Sequence, residues 1–153
     1  MNGVPLSETD RSIVNALARH GRLPNKELAE QVGIPPSTCH NRVRALEERG
    51  VIRGYRADID PVAIGKGVSA LILMSIHSHQ RNRVTELTEE IREVAGVQQI
   101  FLIGGERDLV VHVACESVAE LRQVISGHLA SNPAFTQTQT QLVFECLPGF
   151  SPA

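Results

Sequence analysis

No run of about eighteen apolar residues occurs in the 153-residue chain, so no segment is long enough to cross a bilayer as a helix. The opening MNGVPLSETD lacks the charged-then-apolar order of a secretory leader. Together these absences predict a cytoplasmic protein with no membrane partner. Cysteine is scarce. Cys39, Cys115 and Cys146 are odd in number and without metal-type spacing, and two of them sit within apolar patterns. Reduced, packed thiols are expected rather than a disulfide framework. No cysteine lies in a histidine pattern, and no paired carboxylates stand near a candidate nucleophile. The sequence therefore makes no case for an enzyme, and neither cofactor nor metal is expected. His77, His79 and His112 fall on two stretches that read as neighbouring strands. They could hold a metal; strand-end and surface histidines are the expected reading.

A strong positive charge is missing as well: the formal net charge is −2. Its distribution is more telling. Residues 1–60 carry a balance of +1 and residues 61–153 a balance of −3, and Arg42, Arg44, Arg49, Arg53 and Arg56 cluster within fifteen positions. Such a local stripe suits phosphate contact. The plain alternative is a solvated helix face laced with ion pairs to Glu47 and Glu48.

What is present centres on Ala29–Gly50, AEQVGIPPSTCHNRVRALEERG. One helix ends at Val32, Gly33 supplies the turn, and Pro36 opens the next helix. At 100° per residue Cys39, Val43 and Leu46 share a buried stripe, while Ser37, Thr38, Asn41 and Arg44 point the other way. Asn and Arg can pair bidentately with adenine and guanine edges in a major groove, and Ser and Thr fit either. This is a helix-turn-helix pattern.

Upstream, Ser7-Glu-Thr-Asp10 has the form of a capping box that starts a helix with Ile13, Val14 and Leu17 inward. Gly21 is read as its left-handed stop. A second helix starts near Pro24-Asn25 and buries Leu28, Ala29 and Val32. After Gly50, a C-cap, VIRGYRADID reads as a short hairpin, the wing of a winged helix. Residues 61–67 read as a hinge between a DNA-binding domain at 1–60 and a second domain at 68–153.

The second half changes period. Val68–Ile76 is apolar on both faces and predicts a central strand; a helix follows over Arg83–Ala95, ended by Gly96. Strands at Val97–Ile103 and Leu109–Cys115 flank a turn at Gly104–Asp108. Ser117 caps a helix reaching Leu129, Pro133 stops it, and Phe135–Leu147 is the last strand. TQTQTQ (136–141) is read as strand because apolar residues flank it. The fold class is α+β: a winged helix-turn-helix followed by a βαββαβ, ferredoxin-like domain. Such a sheet has helices on one face only. Leu71, Leu73 and Val111 or their neighbours would be left in water on the other, so that face should pair with a second subunit.

Over roughly residues 6–147 the chain resembles the Lrp/AsnC (feast/famine) family of bacterial and archaeal transcription regulators. The matching residues are Leu6, Thr9-Asp10, Asn25-Lys26-Glu27-Leu28-Ala29, Cys39, Arg42-Val43, Leu46-Glu47, Gly50–Tyr55 and Asp60-Pro61. In the second half they are Gly105-x-x-Asp108 and Thr138-x-Thr140. The resemblance implies an amino-acid-sensing second domain, dimers built through the sheet, further assembly to octamers and small effectors bound between dimers. This chain departs from many relatives in carrying Pro35-Pro36 ahead of the third helix and Pro24 ahead of the second. Neither Pro35 nor Pro24 can be a side-chain cap, which leaves Ser37 and Asn25 to share that role.

A free amino acid needs donors for its carboxylate and an acceptor for its ammonium. Backbone amides around Gly104, Gly105 and Glu106 could form an anion nest, with Asp108, Thr138 and Thr140 taking the ammonium or a polar side chain. The plain alternative is a hairpin turn and β-forming threonines. For DNA, Arg44, Asn41 and Thr38 (with Ser37 beside them) are the candidate base readers, and Arg42, His40, Lys26 and Arg53 the candidate phosphate contacts.

The leading expectation is an oligomeric, sequence-specific regulator of a roughly palindromic DNA site, responsive to an amino acid or related metabolite. One alternative is an architectural DNA-binding oligomer without effector. Another is a protein similar to haem-pathway decarboxylases that share this layout, against which the polar outward face of the third helix argues.

Overall fold

Helix formation starts at Ser7, whose hydroxyl accepts the Asp10 N–H at 3.1 Å and satisfies an amide left open by the first turn of α1 (Glu8–Arg19). The structure, a computed structural model, describes residues 5–147. The outer limits expected for the two domains, 1 and 153, lie outside the described residues. Ile13 and Ala16 turn inward from α1, Leu28 and Ala29 from α2 (Asn25–Val32), and Cys39 and Leu46 from α3 (Pro36–Glu48). These six form one core, with Val14, Leu17, Val32 and Val43 half-buried against it. Each buried leucine or isoleucine contributes about 1.5–3 kcal/mol. The three contributed by these helices therefore decide whether they pack at all.

The turn between α2 and α3 follows from Gly33. Its φ of 76° lets its N–H and that of Ile34 both reach the Ala29 carbonyl, at 2.9 and 3.0 Å. α3 ends in the same way, with Gly50 at φ 69° and the Val51 N–H bonded to the Leu46 carbonyl at 2.9 Å. α1 does not. Gly21 lacks a positive φ, and His20 closes the helix instead through its N–H to the Ala16 carbonyl. Asn25 does not cap α2 either. Pro24 stands at that position without a side-chain bond, and the Asn25 amide donates to the Pro36 carbonyl at 2.9 Å, tying the start of α2 to the start of α3.

The hairpin expected over residues 51–60 is not formed; among the described residues no strand pairs with this segment. It runs extended past Gly54 (φ 143°), and the Tyr55 hydroxyl donates to Glu47 of α3 at 2.9 Å. A hairpin needs two facing backbone edges, and this segment supplies one. The chain divides into two compact units between Asp58 and Ile59, with Leu147 assigned to the first. Residues 61–65 form a turn closed by the Lys66 N–H on the Pro61 carbonyl at 2.7 Å.

In the second unit β1 (Val68–Ile76), α4 (Val84–Arg92), β2 (Val97–Leu102), β3 (Leu109–Cys115), α5 (Val118–Val124) and β4 (Phe135–Val143) follow the expected βαββαβ order. All pairings are antiparallel and the strand order is β2-β3-β1-β4. β1 is thus central. Its Ala70, Ile72, Met74 and Ile76 are buried, with Leu87 and Ile91 of α4 and Leu121 and Val124 of α5 in the same core. The other face carries half-buried Leu71, Leu73 and Val110 and exposed Phe101. Val111 is not on it: the register pairs Val111 with Ile72, so it lies in the core and Val110 takes the open position.

Several boundaries shift: α4 stops at Arg92 with Glu93 as its C-cap, short of the Gly96 end expected, and β2 stops at Leu102. A 3-10 turn at Ser78–Arg83 precedes α4, so His77 and His79 lie beyond β1 rather than on it. α5 gives way at Ile125–Leu129 to a wider π turn, where the Ala130 N–H reaches the Ile125 carbonyl. Gly127 is a weak helix former there, and the Ser126 hydroxyl bonds back to the Arg122 carbonyl. β4 ends at Val143, four residues short of expectation.

Gly33→Ala should destabilise the first unit by about 1–2 kcal/mol, since an L side chain in that left-handed conformation is strained. Open space around the position removes steric clash as a competing cause. Urea unfolding of both proteins measures the difference, and equal midpoints would contradict it.

Candidate DNA interface and effector region

Burying Cys39 and Leu46 leaves Ser37, Thr38, Asn41 and Arg44 exposed on the opposite side of α3, as the helical projection requires. His40 is exposed on a flank; Lys26 on α2 and Arg53 after α3 are also exposed. Arg44 is not unpartnered. Its Nε donates to Glu48 at 2.9 Å, one turn further along, with both side chains mostly in solvent. The i,i+4 spacing made this pair legible in advance.

Arg42 is placed differently from expectation. Its guanidinium meets the Asp10 carboxylate at 2.9 Å and the Ser7 hydroxyl at 3.4 Å, bridging α3 to α1. Asp10 is nearly enclosed, with its side chain 12% exposed, against 40% for Arg42. Phosphate contact would compete with that bond, so Arg42 is a structural tie before it is a DNA contact. Burial alone would raise the Asp10 carboxyl. The Ser7 hydroxyl, the Arg42 guanidinium and the Ser7 backbone N–H outweigh it and hold the pKa below 3.8. No local pattern signals this pair, because the partners are 32 residues apart. Tyr55, expected in a hairpin, bonds to α3 instead. Burial first, then the Glu47 carboxylate, pushes its hydroxyl up to about 12, so it stays a donor that pins the segment bearing Arg53 to α3.

In the second unit Gly104, Gly105 and Glu106 form the exposed turn between β2 and β3, with Gly105 at φ 140°. Asp108 already has partners: one oxygen accepts the Ile76 N–H at 2.8 Å and the other meets Arg81 at 3.2 Å. Thr138 and Thr140 are exposed on β4, in register with Met74 and Ile72. β1 separates β4 from β3, and among the described residues no hydrogen bond joins the turn to either threonine. The link is Arg107, which reaches Ser75 and Gln137 from the turn; spacing alone had not singled it out. The histidines are not gathered. His77 and His79 stack with ring centroids 5.2 Å apart, whereas His112 Nε2 lies 2.8 Å from Ser69 Oγ on the open sheet face.

Asp10→Asn should destabilise the first unit by about 1–3 kcal/mol at neutral pH, the usual range for losing a charged hydrogen bond. The pKa is lowered on folding, so the carboxylate's contribution is complete above the unfolded value near 3.8 and disappears as pH falls through the folded value. The stability gap between wild type and variant should therefore be flat from pH 7 to about pH 5 and shrink below about pH 4. Denaturant unfolding across that range checks it; a gap that widens in acid would contradict it.

Comparison with known proteins agrees with this architecture. Residues 6–53 match a model for winged helix-turn-helix DNA-binding domains, and residues 69–147 match the Lrp/AsnC ligand binding domain. The HTH-type transcriptional regulator AldR of Mycolicibacterium smegmatis is 43% identical over 96% of this chain and 86% of its own length. The crystal structure of MtbAldR superposes with a TM-score of 0.80 at 38% identity, covering 96% of this chain and 100% of that one. A transcriptional regulator of Neisseria meningitidis, solved as its L-Met complex, gives a TM-score of 0.87 at 26% identity, covering 97% of this chain and 96% of that one. With a helix-turn-helix whose polar face is exposed, followed by the β2-β3-β1-β4 sheet unit, the chain belongs to the Lrp/AsnC family of DNA-binding transcriptional regulators.

Proposed function

We propose that the protein is a homo-oligomeric cytoplasmic regulator that recognises a roughly palindromic operator, and that an amino acid or related metabolite alters its DNA binding. The observation that carries the reading is the outward face of α3, where two hydroxyls, one amide and one guanidinium stand exposed in a row. Asn41, Arg44 and Thr38 read base edges, with Ser37 beside them; His40, Lys26 and Arg53 contact phosphates. Arg42 contributes positive charge nearby but acts chiefly inside the domain. A dimer would set two such helices in successive major grooves about 34–36 Å apart. It is a binding protein rather than an enzyme.

Dimerisation is assigned to the open sheet face, because Leu71, Leu73, Val110 and Phe101 leave apolar area in water that a second copy would cover. Assembly of dimers into an octamer would bring effector sites together around Gly104, Gly105, Glu106, Asp108, Thr138 and Thr140. Two facts favour an amino acid there: the match to a ligand binding domain and the L-Met bound by the Neisseria relative. Because its carboxylate already holds β1 and Arg81, Asp108 would order the site rather than contact the ligand. Residues 61–67, at the start of the second compact unit and close to its boundary with the first, serve as the hinge between DNA binding and sensing.

Asn41→Ala or Arg44→Ala should cost about 1–3 kcal/mol on the preferred operator and relax selection at one base position. Selection from randomised duplexes measures this, and an unchanged profile would remove that residue from the interface. Among the twenty amino acids, at least one at a hundred times its dissociation constant should stabilise the protein by about 2.7 kcal/mol. A thermal-shift panel reads this as a raised Tm. Silence across the panel would favour an architectural DNA-binding oligomer without effector.

A further inference from the structure

We infer that Asp10, on α1, is a positioning residue for DNA recognition: through Arg42 it fixes the roll of α3 and so sets where Asn41 and Arg44 reach. The inference rests on α3 being the base-reading helix. Among the described residues Asp10 is the charged side chain found in the core. Its carboxylate takes the Arg42 guanidinium at 2.9 Å, and the same nitrogen lies 3.4 Å from the Ser7 hydroxyl, which in turn accepts the Asp10 N–H at 3.1 Å. Arg42 is thereby fastened to a capped helix end rather than to a mobile side chain.

Geometry explains why this matters. Cys39, Val43 and Leu46 seat α3 through apolar contact, which is non-directional and tolerates small rotations. The Asn25 bond to the Pro36 carbonyl restrains only the start of the helix. Arg42 lies on the flank of the buried stripe, next to Val43 in the chain, so a directional bond there opposes rotation about the helix axis. A roll of about 15° moves an atom about 6 Å from the axis by roughly 1.5 Å. Bidentate base contacts need placement to within about 0.5 Å.

Charge gives the test its sign. Asp10 is an anion in a domain that approaches a polyanion, so on electrostatic grounds its removal should tighten binding to every duplex. Positioning demands the opposite on the preferred sequence. The experiment uses the full chain and a preferred duplex selected by the wild type from a randomised library, compared with a scrambled duplex at several salt concentrations. Circular dichroism confirms folding at the assay temperature. Asp10→Asn should lower the preferred-to-scrambled affinity ratio about tenfold, within the range for loss of one base contact, with the salt slope unchanged. Asp10→Glu should recover part of the ratio. Adding Arg42→Ala to Asp10→Asn should lower the ratio little further, because both remove one linkage.

Arg42→Lys keeps the charge and loses the fork, so it should also lower the ratio without altering the slope, and it serves where Asp10→Asn does not fold. An unchanged ratio in Asp10→Asn, with tighter binding to both duplexes, would overturn the inference. So would an Arg42→Ala variant that weakens both duplexes equally and lowers the salt slope by about one, since that describes a phosphate contact. Asn41→Ala, measured in parallel, reports on the base-reading helix by itself. A lowered ratio in Asp10→Asn beside an unchanged profile in Asn41→Ala would shift the reading role to other residues of that face and leave the positioning role of Asp10 standing.

Discussion

Everything the first unit can do depends on the way one helix divides its surface. α3 is thirteen residues long, and only Cys39 and Leu46 are fully buried, with Val43 beside them. A stripe this narrow frees most of the circumference for polar groups, but it holds the helix weakly. The remainder of the unit compensates. Asn25 grips the start of α3, Glu47 is held by Tyr55 near its end, and Arg42 is held by Asp10 in between. Three directional bonds from three segments do what a wider apolar face would do elsewhere, without consuming the exposed polar face.

The second unit divides its surface in a related way. Helices cover one side of the sheet, and alternation along β1 sends Ala70, Ile72 and Met74 to that side and Leu71 and Leu73 to the other. On that second side lie also Val110, Phe101 and the Ser69–His112 pair. A half-buried imidazole bonded to a hydroxyl is less readily charged than one in water, and burial lowers the His112 pKa. Each unit thus keeps one side for its own stability and leaves the other free of its own helices, polar in the first and largely apolar in the second.

Much of what the sequence makes legible is periodic or local, although the Gly21 stop and the Asn25 cap, local signals both, do not form. The βαββαβ order, the Leu109–Cys115 strand and the Ser7 and Ser117 caps all depend on neighbours within one turn or one strand. Other failures came where the deciding partner was distant or missing. Asp10 is half of a capping box with Ser7, as their spacing predicts, but its further tie to Arg42 spans 32 residues and leaves no local signature. The hairpin after α3 needed a facing strand, and no alternation within ten residues reveals whether one exists. Val111 was put on the wrong side because register, not composition, decides which valine of a run faces the helices. Of the candidate site, the exposed face of α3 was readable from helical spacing. The Arg107 bridge was not, since it depends on the turn lying beside β4.

Arg42 and Arg44 make the general point in two residues. Spacing and charge alone rank them alike, and the fold separates them. Arg44 pairs with Glu48 in a setting where water competes for both groups, so the pair is weakly held. Arg42 pairs with a carboxylate that is almost enclosed, and withdrawing it would strand that charge in the core. The difference in partner burial, more than any difference between the arginines, leaves one guanidinium in solvent and ties the other into the frame of the domain.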